Sequence, residues 1–91
     1  GGRGRRGRNW ASPVGNLYST TILRPACAAP RAAELGFVAA LAVGDLVPAG
    51  RTVRLKWPND VLVDGGKVAG ILLESAIGQD GLAEHVVAGI G

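Results

Sequence analysis

The sequence predicts an α+β fold: a mixed, mainly antiparallel sheet with one helix packed on it. Three observations carry that prediction. Residues 30–47 hold one long run of helix formers. The other apolar residues fall into short runs, several with the two-residue period of a strand. Most of those runs follow one another after the helix, without further helices between them, which separates α+β from the alternating α/β class.

The elements follow in order. Residues 1–9, GGRGRRGRN, carry no apolar side chain and can build no packed element. Residues 10–16, WASPVGN, form a turn-rich connection. Residues 16–24, NLYSTTILR, are rich in β formers and read as a strand that Pro25 ends. Pro30 suits the first helical position and Glu34 the first turn. Leu35, Val38, Ala42 and Leu46 share one helix face, with Phe37, Ala40 and Leu41 close by. Most of the girth is apolar, so the helix is expected to be well covered. Pro48 and Gly50 stop it. Residues 52–57, TVRLKW, alternate in and out until Pro58-Asn59 breaks the run. Residues 60–64 and 67–76 flank Gly65-Gly66, a two-residue hairpin signal. GQDG at 78–81 is another turn, and residues 84–90 form a last strand.

With 91 residues and 9.2 kDa, the chain has the size of one small domain. Leu, Ile, Val and Phe number 25, enough for a core, and aromatics are only 4%. That core must therefore be made of small and β-branched groups. The single Cys27 excludes a disulfide framework and a multi-cysteine zinc site, and suits a reducing compartment. No apolar run approaches the roughly 18 residues of a membrane helix, so no membrane partner is expected. The net charge of +3 is unevenly placed. Residues 1–10 hold Arg3, Arg5, Arg6 and Arg8 and no acid, whereas residues 11–91 hold six bases and seven acids. The basicity is one short segment on a near-neutral body.

Two motifs carry chemistry. In Gly2-Arg3-Gly4-Arg5-Arg6-Gly7-Arg8, followed by Trp10, glycines let the backbone turn N–H groups toward an anion. The arginines add forked, permanently charged donors that match phosphate or carboxylate oxygens. This pattern suits a multiply anionic small ligand. It also occurs in RNA-binding tails, though those interleave aromatics and Trp10 stands alone. The second motif is Lys56-Trp57-Pro58-Asn59-Asp60, leading into Lys67-Val68-Ala69-Gly70-Ile71-Leu72-Leu73-Glu74. It sets polar groups into apolar strands. Asn59 and Asp60 can equally begin a turn, and Lys67 can equally be a solvated hairpin residue. His85 has no metal-ligand spacing, Cys27 has no paired base, and Trp10 and Trp57 read as packing anchors.

Together, GRGRRGR-x-W-x-SP-x-GNLY-x-x-x-x-LRP, KWPNDV, GGK-x-AGILLES and VVAGIG resemble the catalytic core of biotin protein ligases across essentially all of the chain. The lipoate–protein ligases, a sister family with the same fold, are an alternative, as is a non-enzymatic nucleic-acid-binding module. The resemblance implies a catalytic domain of the class II aminoacyl-tRNA synthetase-like ligase fold. It implies activation of biotin by MgATP to biotinyl-5′-AMP, then transfer to a lysine of the carrier domain of acetyl-CoA carboxylase. On these residues it places an adenylate-binding loop at 1–9, expected to be mobile until ligand orders it, ahead of a core at 10–91. Within the loop, Gly2, Arg3, Gly4 and Arg5 match positions at biotin and the phosphate. Lys67 matches the lysine that touches the biotin carboxylate and the adenylate phosphate. Gly70 and Ile71, with Leu72, match the strand lining the biotin pocket. Asn59 and Asp60 fall in the nucleotide region, with Arg8 and Lys56 as further candidates for ATP phosphates. Arg3, Arg5 and Lys67 are the expected catalytic residues. Asp60 is a candidate to help hold Mg²⁺ or to act near the attacking carrier lysine, and no metal-ligand set is assigned.

The resemblance also implies a cytoplasmic enzyme and, in some members, a homodimer or a preceding DNA-binding domain, which these residues do not address. The family's upstream biotin-binding segment and downstream adenine-covering loop have no counterpart here. The chain is therefore expected to be an interior piece of a larger domain and inactive by itself.

Overall fold

The computed structural model describes residues 2–91; Gly1, with which the expected loop begins, lies outside them. Five strands form one sheet: β1 (Ser19–Leu23), β2 (Val53–Lys56), β3 (Asp60–Val63), β4 (Gly66–Ile77) and β5 (Ala83–Ile90). Their order across the sheet is β1-β5-β4-β3-β2, and each pairing among the described residues is antiparallel. Two helices, α1 (Ala29–Ala32) and α2 (Leu35–Asp45), cover one face.

The predicted single helix is thus two. At Glu34, Gly36 and Phe37 the backbone N–H groups donate three residues back rather than four. That tightens one turn between α1 and α2. The covered face also differs from the expected one. Val38, Leu41 and Leu46 are exposed, Leu41 to 61% and Leu46 to 80%, and Ala42 is exposed too. The face that meets the sheet is the small one. A Cβ on Gly36 would lie 3.4 Å from Leu73, and one on Gly44 would lie 3.5 Å from Val53. Ala40 between them is buried against Val61, Ala69 and Ile71, with Ala39 and Val43 alongside. Gly36, Ala40 and Gly44 recur every four residues, so they form a shallow stripe that brings the helix axis close to the sheet. A second cluster joins Ala32, Ala83 and Val86, with Leu23, Cys27, Leu35 and Leu73 around it. The core is made of small and β-branched groups, as the composition required.

Cross-strand partners share a face of the sheet. Val61, Ala69, Ile71, Leu73, Val86, Ala88 and Ile90 therefore face the helices. Asp60, Leu62, Gly70, Leu72, Glu74, Val87 and Gly89 face the other way. That second face carries no helix and is the one the arginine loop reaches.

The hairpin turn sits one residue earlier than expected. Val63 pairs with Gly66, so the two central residues are Asp64 and Gly65 rather than Gly65 and Gly66. Both have positive φ, 49° and 85°. Asp-Gly suits that mirror-image turn because aspartate tolerates the left-handed region and glycine adopts it freely. The Asp64 carboxylate also accepts a 2.9 Å hydrogen bond from the Thr52 N–H and pairs with Arg51. The Thr52 N–H first, and then Arg51, hold its carboxyl below the usual carboxylate range.

Because the folded-state pKa is lowered, the contribution to stability is complete above the ordinary aspartate pKa of about 4 and is lost as pH falls through it. Asp64→Asn keeps a residue that tolerates positive φ and removes the charge. Its stability deficit is therefore expected to be largest at neutral pH and to shrink below about pH 4, read from urea midpoints across pH. A deficit independent of pH would show that the charge contributes nothing.

Candidate functional site

The open face of the sheet forms the floor of a cleft of about 520 Å³. Five separate stretches of chain border it: the arginine loop through Trp10, the start of β1, the Lys56–Asp60 corner, β4, and the end of β5. Each residue singled out from the sequence borders this one cleft: Gly2, Arg3, Gly4, Arg5, Arg8, Lys56, Asn59, Asp60, Lys67, Gly70 and Ile71. They do not contribute alike.

Lys67 reaches the cleft because β4 is irregular. Val61 pairs with Ala69, but the next residue, Leu62, pairs with Lys67, leaving Val68 as an extra residue. Strict alternation back from Ile71 and Ala69 would turn Lys67 toward the helices. The bulge reverses it. Its ammonium then lies 3.1 Å from Asp60 Oδ1 and 4.6 Å from the centroid of the Trp10 ring. A carboxylate and an aromatic face thus hold the cation at the cleft, still partly open to solvent.

Trp10 is the packing anchor that the sequence suggested, but of the site rather than the core. It lies among glycines. A Cβ on Gly70 would come within 2.7 Å of its Cη2, one on Gly2 within 2.7 Å of its Cδ1, and one on Gly91 within 3.1 Å of its Nε1. Gly70 therefore serves by having no side chain. Trp57 stacks on Phe37 with ring centroids 5.2 Å apart and is itself 75% exposed.

Ile71 meets the cleft differently from its neighbours. Its side chain is 3% exposed and lies in the core cluster, so only its main chain serves the site. Leu72 is the side chain that faces the cleft. Asn59 bridges to this strand: its carbonyl accepts from the Ile71 N–H at 2.9 Å, and its Nδ2 donates to the Ile71 carbonyl at 2.5 Å. Its Oδ1 is buried with no hydrogen-bond partner in the protein.

The arginine segment, expected to build no packed element, closes on itself. Arg3 bridges to Asn9, the Gly4 N–H donates to the Arg8 carbonyl at 2.9 Å, and the Arg8 N–H donates to the Arg5 carbonyl at 3.0 Å. Arg6 and Gly7 take positive φ at its tip. The Arg3 guanidinium lies 2.5 Å from Glu74 on β4. The motif reading did not single out Glu74 as functional. The signal for it was its two-residue spacing from Gly70 and Leu72.

Among the described residues, no three histidine, cysteine, aspartate or glutamate side chains cluster as a metal cage. Magnesium on a nucleotide needs only one or two carboxylates beside the phosphates. Asp60 and Glu74, both bordering the cleft, fit that lesser demand. No helix among the described residues is long and apolar enough to cross a membrane.

The profile of the biotin/lipoate A/B protein ligase family matches residues 1–91. The chain belongs to that family. It is 55% identical over 95 aligned residues to the biotin–[acetyl-CoA-carboxylase] ligase of Paracoccus denitrificans, covering 99% of this chain and 39% of that protein. It is 43% identical to the bifunctional ligase/repressor BirA of Escherichia coli, with 99% of this chain and 29% of that protein covered. The crystal structure of the biotin protein ligase from Leishmania major in complex with biotinyl-5-AMP matches with a TM-score of 0.62 and 32% identity. That match covers 99% of this chain and 41% of the other. The present residues thus span less than half the length of these family members. The likeness bears out the class II synthetase-like ligase fold expected from the motifs.

The close fit of Trp10 over Gly70 leads to a test. In the present 91 residues carrying Trp57→Phe, where Trp10 is the remaining tryptophan, Gly70→Ala is expected to displace the indole. Its emission should shift to the red and acrylamide should quench it more strongly. Unchanged emission would mean that Gly70 is not where Trp10 rests.

Proposed function

We propose that this chain carries the anion-handling part of a biotin protein ligase site. In that reading the enzyme activates biotin with ATP to biotinyl-5′-AMP and transfers the biotinyl group to a lysine of a carboxylase carrier domain in the cytoplasm. The observation that supports it most is the convergence at the cleft. Residues from the arginine loop, the Lys56–Asp60 corner and β4, far apart in sequence, border one space of small-molecule size.

The chemistry needs that convergence. In the first step a biotin carboxylate oxygen attacks the α-phosphorus of ATP, and the bond from that phosphorus to the bridging oxygen of pyrophosphate breaks. Two anions must approach, and charge grows on the phosphoryl oxygens. In the second step the neutral carrier-lysine amine attacks the acyl carbon, the bond from that carbon to the phosphate oxygen breaks, AMP leaves with its electron pair, and the amine gives up a proton to solvent. Neither step needs a covalent bond to the enzyme. What the protein supplies is fixed positive charge and N–H groups aimed at the site.

Lys67, set by the bulge and held by Asp60 and Trp10, is placed to meet the biotin carboxylate and the α-phosphate. Arg3 and Arg5 approach from the loop, where Gly2 and Gly4 let the backbone come close. Arg8 and Lys56 serve the outer phosphates. Asn59, tied to the Ile71 main chain, fixes the Lys56–Asp60 corner against β4 beside the nucleotide. Gly70 and the Ile71 main chain line the place for biotin. If Mg²⁺ accompanies the phosphates of ATP, Asp60 would be a candidate carboxylate to hold it, and the ion would supply screening of the phosphate charge.

Biotin-dependent exchange of pyrophosphate into ATP by the full-length protein is the direct assay. Lys67→Ala is expected to lower it by about 10²–10³-fold, the usual loss on removing one such donor, with the fold intact by circular dichroism. Exchange that responds to lipoate and not to biotin would move the chain to the sister activity. Full exchange in Lys67→Ala would remove Lys67 from the chemistry.

A further inference from the structure

We propose that Glu74 is a positioning residue for the arginine loop. Its carboxylate holds the Arg3 guanidinium against β4 while no ligand is present, and it competes with the anionic ligand for that arginine.

The argument begins with pairing. Of the loop arginines Arg3, Arg5, Arg6 and Arg8, Arg3 alone forms an ion pair among the described residues, at 2.5 Å from Glu74. Besides this contact, the loop's own hydrogen bonds close it internally, through Gly4 to Arg8 and Arg8 to Arg5. The Gly2 N–H donates to Ser12 Oγ, which lies on the following connection and not on the sheet. Arg3–Glu74 is therefore the charged tie between loop and floor.

Its location matters as much. Glu74 shares the site-facing run of β4 with Gly70 and Leu72. Four residues of strand separate it from Gly70 by about 13 Å. Lys67 and Trp10 gather at the Gly70 end of that run. Glu74 thus anchors Arg3 from a different point of the strand than the Gly70 end, where Lys67 meets Trp10. If Arg3 and Lys67 meet the same reacting anions, as the functional reading above requires, those anions compete with Glu74 for the Arg3 guanidinium.

The pair is built to be broken. Its side chains are 72% and 47% exposed, and exposed ion pairs are weak and sensitive to salt. A ligand carrying two or more negative charges outcompetes one solvated carboxylate. Glu74 also gives the empty site a reason not to collect stray anions on Arg3.

The test uses the full-length protein and two readouts. The first is tryptic cleavage after Arg5, Arg6 and Arg8 with no ligand present. The second is the affinity for inorganic pyrophosphate. Glu74→Gln is expected to speed cleavage several-fold and to tighten pyrophosphate binding about two- to five-fold, the range expected for an exposed pair. Both effects should vanish when Arg3→Gln is already present, because Glu74 acts through Arg3. Asp45→Asn, which removes an equal charge at the end of α2, should move neither. Unchanged cleavage and affinity, weaker pyrophosphate binding, or the same gain in the Arg3→Gln background would each overturn the proposal. The cleavage arm needs no substrate, so it separates this proposal from the functional reading. A loop released by Glu74→Gln in a protein without biotin-dependent exchange would count against that reading alone.

Discussion

One extra residue in β4 decides where the chemistry can happen. The bulge at Val68 turns Lys67 from the helix-packed side of the sheet to the open side. Without that reversal the ammonium would be directed into a core of Val61, Ala69, Ile71 and Ala40, where a lone charge is strongly disfavoured. With it, the same strand does two jobs. Ala69 and Ile71 bury their side chains beneath α2, while Lys67 and Gly70 face the cleft. The hairpin turn supports this by fixing the register. Asp64 and Gly65 take the positive φ values that pair Val63 with Gly66, and Asp64 ties the turn to Thr52 and Arg51.

The division of faces shapes the rest. The helix side is packed with small groups, so α2 approaches closely and the sheet needs no large side chains to be covered. The cleft side is open and polar, and two of its cations lie on sheet carboxylates, Lys67 on Asp60 and Arg3 on Glu74. Those two cations are thus already paired, while Arg5, Arg8 and Lys56, which also border the cleft, leave its lining net positive. An anionic ligand would exchange partners at Arg3 and Lys67 and would meet cations unpaired among the described residues at Arg5, Arg8 and Lys56. That resolves the uneven charge of the sequence: the excess sits in Arg5, Arg6 and Arg8, while Arg3 and Lys67 are already balanced.

Strand positions were legible because alternation is a local property, and all five strands appear within a few residues of their expected bounds. The helix face was not. Counting large apolar residues selects Val38 and Leu46, whereas the packing selects Gly36, Ala40 and Gly44, since close approach favours the smallest side chains. The turn was missed by one residue because Gly-Gly and Asp-Gly overlap at Gly65, and only the register separates them. The resemblance places Ile71 on the strand lining the pocket; it borders the cleft, while period two turns its side chain into the core. The site-facing Lys67 could not be read from periodicity, which puts it on the wrong face; the resemblance to a known family supplied it. Glu74 was readable from its spacing to Gly70 and Leu72, but nothing in the sequence alone brings Arg3 to it.

A crystal structure of the full-length protein with a non-hydrolysable biotinyl-adenylate would show directly whether the bulge presents Lys67 to the reacting groups. The expected result has the Lys67 ammonium within hydrogen-bond distance of the acyl–phosphate linkage, with Trp10 still seated over Gly70. A ligand bound elsewhere, with Lys67 still on Asp60 and no contact to the linkage, would contradict the assignment of this cleft as the place where biotin is activated.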